Sequence, residues 1–404
     1  MHRETSFFTT LHSSLLQDIS YNYHEISTIY LDLVTIMGAI YYKDVLTPKQ
    51  NDKPRLINID IPVFNIALLG KQEIIELLQK MAKWVSEDNF NINFHPITLN
   101  RELNYINSLV SSTNDVTLFS GGLDSFAGAF HNYKNGIKSD YLGFINKGEE
   151  KTKQLEMSKF YKEIFDASTE IVLVEKPIRK KVTYIQSTRS LLYLALAVSK
   201  AYFNSAQNVY IYENGILSLN PEIKNRYTTK TTHPKTIFMY EHLLRLLGIS
   251  IKINHPFLFK TKGQIINDMD VKFKVAIKQT FTCGQGRSHP ERSHNGQCGI
   301  CIPCLLRKIS LAAYNNEKYD VQYEYPYETK ISNIKEELYK KDYESNLSYF
   351  DSYYRSIKAN RIHLEVHTRE KYYSEKIDFR LYNQTMFNTF VQEYERFMEL
   401  YAPY

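Results

Sequence analysis

Hydrophobic residues recur every three or four positions over 25–43, at Ile26, Ile29, Leu33, Ile36 and Ile40. That period predicts an amphipathic helix. The next stretch, Arg55-Leu56-Ile57-Asn58-Ile59-Asp60-Ile61-Pro62-Val63, alternates apolar with polar like a strand and is ended by proline. Helical spacing returns over 71–85 through Ile74, Ile75, Leu77, Leu78, Met81 and Trp84. Asn89-Phe90-Asn91-Ile92-Asn93-Phe94 then alternates again. Residues 1–112 therefore read as a small α+β module.

The pattern changes over 113–315. Short apolar runs at 116–119, 141–145, 171–174 and 209–212 are separated by helical stretches, among them 152–165 and 189–201. Such alternation predicts an α/β fold, a parallel, doubly wound sheet with helices on both faces. Ligands in those sheets bind beyond the carboxyl ends of the strands. Two polar segments fall at such ends: 120–125, and Glu213-Asn214-Gly215. Residues 316–404 are polar and rich in tyrosine, with helices predicted over 333–342, 345–358 and 383–401. The amphipathic tail Met398-Glu399-Leu400-Tyr401 suits packing on the body or on a partner.

Composition narrows the class. Hydrophobic residues make up 43% of the 404, enough for a sizeable core. The 50 basic and 44 acidic residues leave a net charge of +6, too mild to call for nucleic acid. No apolar stretch reaches the ~18–20 residues of a membrane span. The start, Met1-His2-Arg3-Glu4-Thr5, lacks the apolar centre of a signal peptide. The expectation is a cytoplasmic protein with no membrane partner, whose four cysteines serve as metal ligands rather than disulfides.

Ser120-Gly121-Gly122-Leu123-Asp124-Ser125 follows one predicted strand and leads into a predicted helix. Two glycines at a strand-to-helix turn let backbone N–H groups close around oxygen atoms, and the helix dipole adds positive potential. Ser120 and Ser125 add hydroxyl donors, and Asp124 suits the orienting of the loop or of a Mg²⁺ ion. A capped Gly-Gly turn is the plain alternative. The six residues resemble the SGGxDS signature of the PP-loop ATP pyrophosphatases. That resemblance implies an adenine-nucleotide α-hydrolase (HUP-like) fold, with ATP gripped at its β/γ end while a carboxylate or carbonyl attacks the α-phosphate.

Cys283, Cys298, Cys301 and Cys304 are all the cysteines of the chain. A C-x2-C-x2-C core with one distal cysteine supplies four thiolates, the set for a closed, structural Zn²⁺ site. An iron–sulfur cluster and unrelated buried thiols remain alternatives at this point. His289 and His294, in the insert before Cys298, read as loop residues because four thiolates already fill the shell.

The PP-loop, then Thr280-Phe281-Thr282-Cys283 and Cys298-Gly299-Ile300-Cys301-Ile302-Pro303-Cys304-Leu305-Leu306-Arg307, resemble the QueC family of 7-cyano-7-deazaguanine synthases. His255-Pro256 and Lys260-Thr261-Lys262-Gly263 look like that family's proline followed by a Lys-Thr-Lys segment. The resemblance implies ATP-dependent activation of the carboxylate of 7-carboxy-7-deazaguanine, with a zinc site bracing the pocket. The chain departs from the housekeeping enzyme in its flanking regions, its longer cysteine insert and the absence of a Tyr-Pro-Asp-Cys-Arg segment. These departures look like the QueC-like proteins of antiphage defence, QatC of the Qat system and its relatives in type IV CBASS. That subgroup implies a protein partner encoded in the same defence operon, whose N-terminal amine accepts the deazaguanine acyl group. The nitrile synthase using ammonia is the alternative. Transfer-RNA modification and a non-catalytic nucleotide-binding scaffold stand further off, the former because no cysteine is left over for thiolation.

Residue by residue, Ser120, Gly121, Gly122, Asp124 and Ser125 are expected to hold ATP and Mg²⁺. Arg189 opens an apolar helix where QueC-like proteins carry a functional arginine. Glu213 and Asn214 at a strand end read either as acceptors for the N–H groups of a guanine-like base or as caps. Asn220, Arg226, Thr232 and His233 share a polar loop expected to line the pocket. His233 is a candidate base for the attacking amine or a hydrogen-bonding loop residue. Lys262 is a candidate for phosphate or carboxylate binding, or a solvated helix-start lysine. Arg307 either reaches the nucleotide or caps the cysteine knuckle.

Overall fold

A computed structural model describes residues 28–49, 53–97, 113–145, 148–165, 171–175, 186–223, 229–284, 296–373 and 377–404. Arg226, His289 and His294 lie outside the described residues. So does the start of the helix expected at 25–43.

The first helix, α1 (Thr28–Leu46), is followed by β1 (Leu56–Val63), α2 (Gln72–Ser86) and β2 (Asn89–Pro96). β1 and β2 pair in parallel, Leu56 opposite Asn89 through Val63 opposite Pro96. Their alternate apolar residues, Ile57, Ile59, Ile61, Phe90 and Ile92, are buried. This is the face that the period-two pattern predicts. Buried Arg55 fastens the module. Its guanidinium pairs with Asp44 at 2.5 Å and with Asp88 at 2.6 Å.

A second, five-stranded sheet contains β3 (Asp115–Leu118), β4 (Ser139–Ile145), β5 (Ile171–Glu175), β6 (Asn208–Tyr210) and β7 (Lys252–Asn254). The strand order is β5-β4-β3-β6-β7 and every pair is parallel. The chain moves outward from β3 to β4 and β5, then returns to place β6 on the other side of β3. The helices between are α3 (Leu123–Lys134), α4 (Gly148–Phe165), α5 (Arg189–Phe203), α6 (Gly215–Leu219) and α7 (Pro234–Leu246).

Side chains alternate across this sheet. Val116, Leu142, Val209 and Ile253 face one core with α5 and α7. Tyr141 and Tyr210 face another with Phe126 and Phe130 of α3 and Met157 and Tyr161 of α4. The first core continues without a break into α1, α2, β1 and β2.

After β7 come α8 (Lys262–Asn267), α9 (Ile302–Ala312), α10 (Glu337–Lys358) and α11 (Phe379–Tyr401). The two helices expected at 333–342 and 345–358 are one, α10. Its buried Tyr339, Tyr343, Leu347, Phe350 and Tyr353 keep a single apolar stripe running through the expected gap. The strand expected at 209–212 ends at Tyr210, although Ile211 still hydrogen-bonds to Asn254. α10 and α11 enclose a third core with the four cysteines and with Ile216 and Leu219 of α6. Met398 and Tyr401 pack against that core, so the amphipathic tail lies on the body. Among the described residues, no helix is long and apolar enough to cross a membrane.

Candidate functional site

Strand β3 runs out through Phe119 into the Ser-Gly-Gly turn. Gly121 has φ +76°, a left-handed conformation that a side chain disfavours. Ser120 Oγ lies 3.2 Å from Ser125 Oγ and accepts the Gly122 N–H at 3.2 Å. Ser125 Oγ donates to the Gly122 carbonyl at 2.9 Å. The start of α3 follows directly, where the first N–H groups of a helix lack intrahelical partners. The turn is braced from two sides. Tyr193 on α5 donates to the Phe119 carbonyl at 2.5 Å. Phe281 N–H donates to the Gly121 carbonyl at 3.1 Å.

Asp124, in the first turn of α3, meets three residues from the far side of the strand-order reversal. Lys262 Nζ lies 2.9 Å from its Oδ2, with the Lys262 side chain 1% exposed. Asn214 Nδ2 reaches the same oxygen at 3.3 Å and Glu213 Oε1 at 3.0 Å. Burial and the neighbouring Asp124 carboxylate push Glu213 well above the usual carboxyl range, with Lys262 opposing. Glu213 is therefore the carboxyl of this cluster that resists ionisation, beside the Asp124–Lys262 pair. Asn214 also caps α6, accepting the Leu217 N–H at 3.2 Å.

Behind Glu213 runs a polar chain. His255 Nε2 donates to the Glu213 carbonyl at 2.9 Å. Ser218 Oγ lies 3.3 Å from the same nitrogen and 3.0 Å from Thr232 Oγ1. Burial lowers His255 to about 4. Thr232 is thus tied to the site by way of Ser218 and His255. In the sequence Ser218 carries no signal of this role, and His255 shows only as the start of the His-Pro motif.

Three of the expected site residues have other occupations. His233 is 2% exposed and caps α7, its Nδ1 accepting the Lys235 N–H at 3.0 Å. Its Nε2 donates to the Val366 carbonyl at 2.7 Å. Both nitrogens are taken, and burial lowers the ring to about 4, so no lone pair is left to take a proton from an amine. Asn220 donates to the Thr229 carbonyl at 2.9 Å and accepts from Tyr349 at 3.1 Å, joining its loop to α10. Arg307 is completely buried. It pairs with Asp320 at 2.7 Å and donates to Thr280 Oγ1 at 2.8 Å and Thr282 Oγ1 at 3.1 Å. Arg307 therefore stiffens the segment that holds Gly121, from behind.

Arg189 starts α5 and is half-buried. It lies one turn before Tyr193, on the same face of the helix, and Tyr193 touches the base of the Ser-Gly-Gly turn.

The four cysteine sulfurs lie within 4.8 Å of one another and all four residues are buried. Cys283 and Cys301 are 3.9 Å apart, Cys298 and Cys304 4.0 Å. Tetrahedral zinc with Zn–S bonds of about 2.3 Å needs sulfur–sulfur edges of about 3.8 Å. Backbone N–H groups of Cys301 and Gly284 point at sulfur at 3.3 and 3.4 Å, as they do around thiolates. The cluster can hold zinc as it stands.

The donor set at Asp124 also fits a nucleotide and a divalent cation. Asp124 Oδ1 is buried and has no hydrogen-bond partner among the described residues. A second carboxyl, Glu213, stands beside it.

The family described as "Queuosine biosynthesis protein QueC" matches residues 164–315. The matched segment begins after the Ser-Gly-Gly turn and contains Arg189, Glu213, Lys262 and all four cysteines. It supports a QueC-like family. No curated protein matches the chain.

Proposed function

We propose that the protein is an ATP-dependent carbon–nitrogen ligase of the PP-loop type, acting on a 7-deazaguanine acid. The QueC-family match supports an ATP-using enzyme of deazaguanine chemistry. The observation that carries the finer reading is the meeting of Lys262, Asp124 and Glu213 at the mouth of the Ser-Gly-Gly turn. A doubly wound sheet binds its ligand where the strand order reverses, and these residues come from both sides of that point.

In this reading Ser120, Gly121, Gly122 and Ser125 hold the β- and γ-phosphates of ATP, and Lys262 neutralises them. Asp124 and Glu213 are the residues that would hold Mg²⁺, which supplies further charge neutralisation on the departing pyrophosphate. The substrate carboxylate attacks the α-phosphorus, the bond to the β-phosphate oxygen breaks, and pyrophosphate leaves. An amine then attacks the acyl carbon, AMP leaves, and the amine loses a proton. Arg189, one helical turn before Tyr193, is in this reading the cation for charge that builds on the α-phosphate. The acceptor in this proposal is the N-terminal amine of a partner protein in an antiphage defence system. The zinc site holds the 280–283 segment against Gly121.

Exchange of labelled pyrophosphate into ATP tests the first half-reaction. It is expected only when 7-carboxy-7-deazaguanine is present. Exchange that ignores the acid would overturn the substrate assignment. Formation of 7-cyano-7-deazaguanine from ammonia would replace the protein acceptor with the nitrile synthase.

A further inference from the structure

Helix α11 reaches the start of α8 with a buried carboxyl. Glu393 is 2% exposed, and Thr261 Oγ1 donates a hydrogen bond to its Oε1. Thr261 is the N-cap of α8. Its hydroxyl accepts the Gln264 N–H at 3.1 Å, and Gln264 Oε1 accepts the Thr261 N–H at 3.0 Å. The next residue is Lys262, which pairs with Asp124. Gly263 follows, and a Cβ there would overlap the Glu393 carboxylate and crowd the Tyr314 ring.

The capping box fixes the first turn of α8 internally. It does not fix that turn against the rest of the protein. The Thr261 hydroxyl has one proton, and Glu393 takes it. Close approach at Gly263 seats the same turn on α11. A lysine ammonium rides on a flexible four-carbon stem, so its position depends on where the backbone starts.

We propose that Glu393 is a positioning residue for Lys262, which makes the C-terminal helix part of the candidate nucleotide site. What Lys262 contacts rests on the function proposed above; that Glu393 places it does not. Burial raises Glu393 to about 8, against hydrogen bonds from Thr261, Tyr314 and Gln264. The neutral acid keeps a carbonyl oxygen for Thr261, and so does glutamine.

Amine acylation of the full-length, zinc-loaded protein, read by mass spectrometry at Lys262, tests this. Lys80, whose side chain is 71% exposed, serves as the reference. Lys262 should be protected in wild type and in Glu393→Gln. In Glu393→Ala and Glu393→Asp, with zinc content and circular dichroism unchanged, its labelling should rise about tenfold, the effect of losing one buried hydrogen bond. If those variants do not fold, Glu393→Met, which keeps the volume but cannot accept from Thr261, should give the same rise. Protection of Lys262 equal to wild type in a folded variant overturns the proposal. Labelling needs no nucleotide, so failure of the ATP reading leaves this result standing. ATP affinity in the same variants should fall for Ala and Asp and hold for Gln.

Discussion

Lys262 Nζ and Asp124 Oδ2 sit 2.9 Å apart, the lysine side chain 1% and the aspartate 11% exposed, joining the start of α8 to the start of α3. Removing one partner of such a pair strands the other, at a typical cost of about 3–5 kcal/mol. The two removals should not be equal here. In Asp124→Asn, Lys262 keeps the Glu213 carboxyl as a neighbour; burial, the larger cause that raises Glu213, stays, and only the smaller, Asp124, is removed. In Lys262→Met, the buried Asp124 carboxylate is left with no cation and stands beside a second carboxyl, Glu213. Denaturant unfolding should therefore show Lys262→Met as the more damaging change. Pyrophosphate exchange should be lost in both.

The zinc prediction follows from how the knuckle touches the turn. Phe281 N–H bonds Gly121, and Arg307 grips Thr280 and Thr282 on either side of it. Metal analysis should find one zinc per chain, without the visible absorption of an iron–sulfur cluster. Chelation or Cys301→Ser should lower the melting temperature and weaken ATP binding together, because metal binding is coupled to local folding. ATP affinity unchanged in a zinc-free, folded protein would separate the knuckle from the turn.

His233 gives a signed pH dependence. In the unfolded chain it takes a proton near 6.5; folded, it resists until about 4. Its contribution is present above pH 6.5 and is lost as pH falls towards 4, by at most about 3 kcal/mol. Stability measured from pH 7 to pH 4 should fall more steeply in wild type than in His233→Asn, which can still cap α7. The same variant should retain transfer activity, since the ring has no free lone pair. Loss of transfer with exchange intact would restore His233 as the base.

Much of this was readable in the chain where the signal was local. The cysteine knuckle lies within 283–304, and the Ser-Gly-Gly turn is six consecutive residues with a strand before it. Both declare themselves by spacing. The long apolar helices and β1 to β6 did the same. Strand β7 was less plain, because its pairing residues are only Lys252–Asn254, although Ile249, Ile251 and Ile253 alternate with polar residues up to it. The pairings that assemble the site were hidden for another reason. Asn214 and Asp124 are 90 residues apart and Glu393 and Thr261 132, and no local pattern records such meetings. A polar residue that caps a buried helix, as His233 does, looks in sequence like one that lines a pocket.

Glu393 gives the opposite pH dependence. The unfolded chain releases this proton near 4.5, whereas the folded chain holds it to about 8. Between those values the unfolded state gains, so stability present below pH 4.5 is lost as pH rises to 8. Thr261, Gln264 and Tyr314 face the carboxyl and favour its charged form, which bounds the loss at a few kcal/mol. Glu393→Gln carries no proton to release. Its melting temperature should match wild type near pH 5 and exceed it near pH 9. Lys262 labelling relative to Lys80 should stay low in both proteins across this range, because the charged carboxyl still accepts from Thr261. Parallel melting profiles for the two proteins would mean that the Glu393 carboxyl does not change its charge between pH 5 and pH 9.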